Sequence, residues 1–305
     1  MKRVLVTGAS GFIGGHSLPH LVARGFEVHA AGYRRVPLNG DGVRWHRGDL
    51  LDKANISDLL AEVAPTHLLH FAWYAEPGKY QESEANLRWC KAGIDLVRAF
   101  AASGGQRAVF AGTCFEYDLA DGYCIETVTP CVPTTRYGAS KLALAQMVTS
   151  SPPVETSMAW ARIFHLYGPH EHRRRLVSSV ILSLLQGEPA RCTHGRQVRD
   201  FTHVDDVASA FVSILDSGVE GIVNIGSGMP VTIRAVVSAI AESIGAPELI
   251  DFGAIAAGLN DPPILIPNVS RLRDEVGWTP RWTLKDGLAH TIDWWRTRTA
   301  SSVEA

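Results

Sequence analysis

The stretch Arg3-Val4-Leu5-Val6-Thr7 runs straight into Gly8-Ala9-Ser10-Gly11-Phe12-Ile13-Gly14, and a helical pattern follows through Ala23. A short buried strand, a glycine loop and a helix in that order leave few folds open. The first glycine permits a tight turn, the second lets a pyrophosphate approach the backbone, and the third lets the helix pack on the strand. Free N–H groups at the helix start then face the phosphates. The spacing is G-x-x-G-x-x-G, and Gly8, Gly11, Phe12, Ile13 and Gly14 are the expected dinucleotide contacts.

Gly25 ends the helix, and Phe26 to Ala31 alternates as a second strand whose end reaches the adenosine ribose. An acidic residue about 20 positions after the loop would accept from both ribose hydroxyls and repel a 2'-phosphate. This chain has Gly32-Tyr33-Arg34-Arg35 there. Guanidinium forks with no carboxylate beside them favour NADP(H) over NAD, with Arg34 the first clamp and Arg35 the second. Val43 to His46 reads as a third strand, and Asp49 and Leu50 at its end are expected beside the adenine. Helical spacing from Ile56 to Val63 leads to a fourth strand, Thr66 to Ala72, with Ala72 against the cofactor. A long helix, Glu82 to Ala102, precedes the strand Arg107 to Ala111. Strands alternating with helices predict an α/β fold, a doubly wound parallel sheet with right-handed crossovers and ligands at the carboxyl ends of its strands.

Tyr137-Gly138-Ala139-Ser140-Lys141 places a phenol and an ammonium on one face of a helix. An ammonium beside a phenol favours phenolate, lowering the tyrosine pKa from about 10 and making the pair able to handle a proton near neutrality. With the glycine loop and Gly112-Thr113-Cys114-Phe115-Glu116-Tyr117, this pair resembles the extended short-chain dehydrogenase/reductase family, and its nucleotide-sugar enzymes above all. The resemblance continues through Arg162-Ile163-Phe164-His165-Leu166-Tyr167-Gly168-Pro169, Arg199-Asp200-Phe201-Thr202-His203-Val204-Asp205-Asp206-Val207 and Val276-Gly277-Trp278-Thr279-Pro280. It implies that the sheet is of the Rossmann kind, that Thr113 hydrogen-bonds the reacting oxygen, and that Tyr137 is the acid/base. It also implies that Lys141 holds both the tyrosine and the nicotinamide ribose, that Phe164 lies at the cofactor, and that the substrate is a nucleoside-diphosphate hexose.

Departures from the family pattern narrow the chemistry. Sugar 4,6-dehydratases place Asp-Glu directly after the threonine, and here those positions are Cys114 and Phe115, so dehydration lacks its acid and base. The cysteine of epimerase-reductases would align with Phe115. His165 stands where many relatives carry an Asn that touches the sugar or diphosphate, and Arg199 is the expected diphosphate contact. Cys114, Phe115, His165 and Arg199 form the expected substrate set. Many relatives bind the diphosphate with Arg-Pro-Gly-Asp, but this chain reads Gly258-Leu259-Asn260-Asp261-Pro262, so that arginine is missing. The expected activity is NADPH-dependent reduction of a 4-keto-6-deoxy nucleotide sugar. The alternatives are a 4-epimerase with tightly held NAD, a reductase of a non-nucleotide carbonyl, and a dinucleotide-sensing regulator.

Residues 1–168, with roughly 200–225, are expected to form the dinucleotide-binding unit, and 169–199 with 226–305 a smaller α/β substrate-binding part. In the latter, Leu176 to Leu185, Asn268 to Glu275 and Leu284 to Arg296 read as helices, and Thr232 caps another through Ile244. Ile222 to Gly226 reads as a strand, Asp206 as a helix cap, and Trp294 and Trp295 as packing. A formal net charge of -2 offers no basic surplus for nucleic acid. Cys90, Cys114, Cys124, Cys131 and Cys192 lack C-x-x-C spacing, and His170 with His172 lacks partners, so neither disulfides nor a metal site is expected. No run of about 18 apolar residues suggests a membrane span, and a cytoplasmic location follows. The helices near Glu82 to Ala102 and Tyr137 to Val148 correspond to those many relatives use to dimerise, so a homodimer is expected.

Overall fold

The computed structural model describes residues 2–33, 41–120, 122–150, 155–258 and 261–301. The chain begins β1 (Arg3–Thr7), α1 (Phe12–Ala23), β2 (Glu27–Gly32), β3 (Val43–Arg47), α2 (Lys53–Val63), β4 (His67–His70), α3 (Ala85–Ala102) and β5 (Arg107–Thr113). It continues through β6 (Tyr123–Cys124), α4 (Arg136–Thr149), β7 (Ser157–Ile163), β8 (His165–Tyr167), α5 (Leu176–Leu185), β9 (Ala190–Cys192), β10 (Val198–His203), α6 (Val204–Asp216) and β11 (Gly221–Ile225). The last elements are β12 (Pro230–Thr232), α7 (Ile233–Ile244), β13 (Ile250–Phe252), β14 (Ile264–Pro267) and α8 (Leu284–Ser301).

A seven-stranded sheet has the order β11-β7-β5-β4-β1-β2-β3. Every neighbouring pair in it is parallel. The strand order reverses between β1 and β4, and a ligand crevice of such a sheet opens there, at the carboxyl ends. One face of the sheet is covered by α1 and α6, where Leu18, Leu21, Phe211 and Ile214 pack on Val6, Val28 and Val109. On the other face α2, α3 and α4 bring Leu59, Leu60, Leu96, Phe100 and Leu144 against Leu5, Leu68 and Phe110. A separate cluster joins α5, α7 and α8 through Ile181, Leu184, Val237, Ile240, Leu288 and Trp295. Nearby, β10 pairs with β8, β12 and β14, so Arg199 and His165 belong to one small sheet.

Three local features differ from the sequence expectations. The strand Ser157–Ile163 went unmarked, because a central strand covered on both faces carries no alternation and two of its seven residues are alanines. Asn268 to Glu275 holds only a single π-helical turn, Arg271–Glu275, since Asn268 Oδ1 accepts from the Ser270 N–H and closes a turn instead. Asp206 is not a cap. Its carboxylate accepts from the Arg281 and Trp282 backbone N–H groups, at 3.0 and 3.1 Å to Arg281, and the His203 ring accepts from the Asp205 N–H at the helix start. The Thr232 cap is as expected, its hydroxyl accepting from the Ala235 N–H at 3.1 Å.

Candidate active site

The glycine loop closes by backbone contact. Gly8 takes φ +68°, and a Cβ there would lie 2.6 Å from the Ala72 nitrogen, so β1 and the end of β4 meet with no room for a side chain. The following helix starts at Gly11 with no side-chain cap and no acidic residue in its first turn. The Gly11 N–H donates to the Gly8 carbonyl at 2.9 Å, and the Phe12, Ile13 and Gly14 amides have no acceptor among the described residues, which fits the pyrophosphate of a dinucleotide. Phe12 and Ile13 are the first helical residues there. Asp49 accepts from the Leu51 N–H at 3.0 Å, and Leu50 and Ala72 are buried. Arg34 and Arg35 lie outside the described residues.

Thr113 ends β5 and begins a one-turn 3-10 helix, Cys114–Glu116. Its hydroxyl accepts from the Phe115 N–H at 3.3 Å, and its own N–H donates to Glu116 Oε1 at 2.8 Å. This turn sits directly on α4, since a Cβ on Gly138 would be 2.3 Å from the Phe115 carbonyl oxygen. Tyr137, next to Gly138, is linked to Thr113 by a side-chain hydrogen bond. The Tyr137 ring is held edge to face by Tyr80, with centroids 4.8 Å apart, and flanked by Trp73 at 6.4 Å. One turn later Lys141 is buried, donates to the Ala111 carbonyl at 2.8 Å, and sits 3.8 Å from the centroid of the Trp73 ring. Asn86 fixes that indole, its Oδ1 accepting from Trp73 Nε1 at 2.9 Å.

Burial dominates the electrostatics of the Tyr137 and Lys141 pair. Burial pushes the Tyr137 phenol above its ordinary value, the Tyr80 ring pushes the same way, and only the Thr113 hydrogen bond pulls it down. Burial also lowers Lys141 to about 7, against the opposing pull of Glu116. Burial thus outweighs any pull of the lysine on the tyrosine. The Lys141 ammonium is turned to the Ala111 carbonyl and the Trp73 face, and burial disfavours both charged forms.

The expected substrate set divides. Cys114 is 2 % exposed among Tyr117, Cys124, Phe164 and Leu265, with burial pushing its thiol up to about 12. Apolar packing surrounds the thiol. Phe164 lies in the same cluster, and Phe115 is half-buried beside it. His165 is half-buried, with an enclosed Nδ1 that has no partner among the described residues. Arg199 is buried, donates to the Val198 and Pro262 carbonyls at 2.8 Å each, and forms an ion pair with Asp261. Sequence reading passed over Glu116, Trp73 and Tyr80. A lone carboxylate after the apolar run ending β5 was the available signal for the first.

Two site histidines contribute to loss of stability in acid. Burial lowers His70 and His165 to about 3 from the ordinary 6.5, with Lys141 and Arg199 respectively acting in the same direction. Between pH 6.5 and 3 the unfolded chain binds protons that the folded one does not, so this stability is complete above 6.5 and falls as pH drops. His70 is 2 % exposed, its Nδ1 shared with Thr7 Oγ1 at 2.7 Å. It alone makes the protein about 2 kcal/mol less stable at pH 5 than at pH 7. Thermal melts across that range should show the decline, and a melting temperature flat from pH 7 to 5 would contradict it.

Residues 4–226 match the model of the "NAD dependent epimerase/dehydratase family". A UDP-glucose 4-epimerase of Corynebacterium glutamicum is 29% identical over 309 residues, 92% of each chain. A dTDP-glucose 4,6-dehydratase of Xanthomonas campestris pv. campestris is 29% identical over 333 residues, covering 97% of this chain and 94% of its own. Among solved structures, MoeE5 in complex with UDP-glucuronic acid and NAD is 32% identical with a TM-score of 0.83, covering 97% of this chain and 99% of its own.

Proposed function

The chain belongs to the NAD dependent epimerase/dehydratase family, and from that membership we propose that it oxidises and re-reduces C4 of a nucleoside-diphosphate hexose, with 4-epimerisation as the net result. One observation carries the reading. Thr113, Tyr137 and Lys141 converge through the contact between the Cys114–Glu116 turn and α4, while Cys114 and Phe115 supply neither carboxylate of a dehydratase. Relatives named UDP-glucose 4-epimerase at 27–29% identity support the same outcome.

The uncapped start of α1 and the glycine loop would hold the dinucleotide, with Lys141 toward its ribose. Bound there, it supplies hydride acceptance and return at the sugar carbon. The chain's residues handle the proton. Tyr137 takes it from the C4 hydroxyl and gives it back to the same oxygen, and Thr113 Oγ1 holds that oxygen in place. Lys141, in its ammonium form, stabilises the phenolate while the proton is away. Substrate contact is assigned to Phe115 and His165 at the sugar and to Arg199 toward the diphosphate. Incubating the purified protein with UDP-glucose or UDP-glucuronic acid, with catalytic NAD, should give the 4-epimer by proton NMR. Absence of interconversion across such a panel would count against the proposal.

A second reading rests on the sequence Gly32-Tyr33-Arg34-Arg35: net reduction of a 4-keto sugar with NADPH. Titration with NADPH and NADH separates the two, since stoichiometric NADPH consumption per ketone belongs only to the reductase. We assign the dinucleotide to residues 1–168 with roughly 200–225, and the sugar to 169–199 with 226–305. Five free thiols support a cytoplasmic location. Among the described residues no helix is long and apolar enough to cross a membrane. Exposed Leu87 on α3 and Met147 on α4 support a homodimer through those helices. Light scattering at micromolar concentration should give twice the chain mass, and a monomer mass would refute the assignment.

A further inference from the structure

Glu116 is fully buried and takes part in no step described above. Its Oε1 accepts from the Thr113 N–H at 2.8 Å and from Trp160 Nε1 at 2.9 Å. Its Oε2 accepts from Arg162 Nε at 2.7 Å. The same Trp160 ring has its centroid 5.8 Å from Lys141 Nζ, so one indole contacts both the carboxylate and the ammonium. Close packing enforces the arrangement, because a Cβ on Gly112 would lie 2.1 Å from Trp160 Nε1 and 2.8 Å from Glu116 Oε1. A carboxylate that served only to cap a three-residue turn would not need β7 to supply two further donors.

We propose that Glu116 is a positioning residue for the Thr113, Tyr137 and Lys141 set, anchoring the Thr113 backbone and supplying the buried negative charge against which Lys141 keeps its proton. The proposal deepens the oxidoreductive reading of this site and rests on it for its catalytic meaning. Other groups facing the set are few. Lys141 is faced by Cys90 from α3, His70 from β4 and the Trp73 and Trp160 rings. Tyr137 is faced by Tyr80, Thr113 and Cys114. Arg162 faces Glu116 and stacks on Tyr117, its guanidinium carbon 4.2 Å from that ring centroid. Among these groups Glu116 is the carboxylate.

The sign follows directly. Removing the anion weakens the hold on the Lys141 proton and exposes the set to unpaired Arg162, so lysine and tyrosine both release protons at lower pH. Removing the Arg162 cation does the opposite. The test is carbon-13 NMR of protein labelled at the lysine ε-carbon, with the Lys141 signal identified by its loss in Lys141→Met. In Glu116→Gln the Lys141 midpoint should fall by about one pH unit, and in Arg162→Met it should rise. Circular dichroism confirms that each variant is folded. A folded Glu116→Gln with an unmoved midpoint overturns the proposal, and if that variant does not fold, an unmoved midpoint in Arg162→Met does so. This readout needs no substrate. A wild type without turnover would count against the proposed activity, while the lysine titration decides the role of Glu116 on its own.

Discussion

Tyr137→Phe should lower turnover by about a thousand-fold, the range expected when a proton-transfer group is removed, with dinucleotide affinity and melting temperature close to those of the parent. The substitution keeps the ring, so the edge contact with Tyr80 at 4.8 Å and the flank against Trp73 persist. The Tyr137 backbone N–H also still donates to the Gln81 carbonyl at 2.8 Å, holding the start of α4 where it is. What disappears is the phenolic oxygen and its hydrogen bond with Thr113. Burial raises this phenol, so forming the base costs free energy that the Thr113 hydrogen bond offsets in part. Steady-state rates with the nucleotide sugar, beside a fluorescence titration of the dinucleotide, check both halves. Turnover within tenfold of the parent would remove Tyr137 from the chemistry.

Gly14→Ala should cost about 3 kcal/mol of stability and roughly 100-fold in dinucleotide affinity, at the upper end of what overpacking does. The new Cβ would stand 2.3 Å from the Gly8 carbonyl oxygen and 2.9 Å from Ala9 Cα. Neither atom is free to retreat. The chain just before them is held on both sides by β2 and β4, with Thr7 in register with Ala31 and His70. Helix and loop must therefore separate, and the amides that fit the pyrophosphate separate with them. Gly15→Ala is the internal control, because its Cβ meets only the Ala9 carbonyl oxygen at 3.6 Å and alanine is the better helix former by about 1 kcal/mol. Calorimetry on the pair should show opposite signs. Equal destabilisation would mean that the loop tolerates no change for reasons other than this clash.

Much of the molecule could be read from residue order. The glycine spacing after β1, the alternation of strands with helices and the Tyr137/Lys141 interval each depend on neighbours within one or two turns of chain. Local backbone geometry is enough to express them. Hence the parallel sheet, the loop at its carboxyl edge and the family were all legible. Ser157–Ile163 escaped because burial on both faces erases the period that marks a strand. The partners of charged groups escaped for a different reason. Asp206 reaches Arg281 and Trp282, Arg199 reaches Asp261, and Glu116 reaches Arg162, over separations of 75, 62 and 46 residues. Protonation belongs with these contacts. That Lys141 faces a carbonyl and an indole, and that Cys114 is sealed in a core, depends on what distant strands bring to those atoms. The sequence alone settled which groups could do chemistry, since residue type and spacing carry that. Tertiary structure decided their proton affinities and partners, because desolvation and charge pairing exist only once the chain has closed around them.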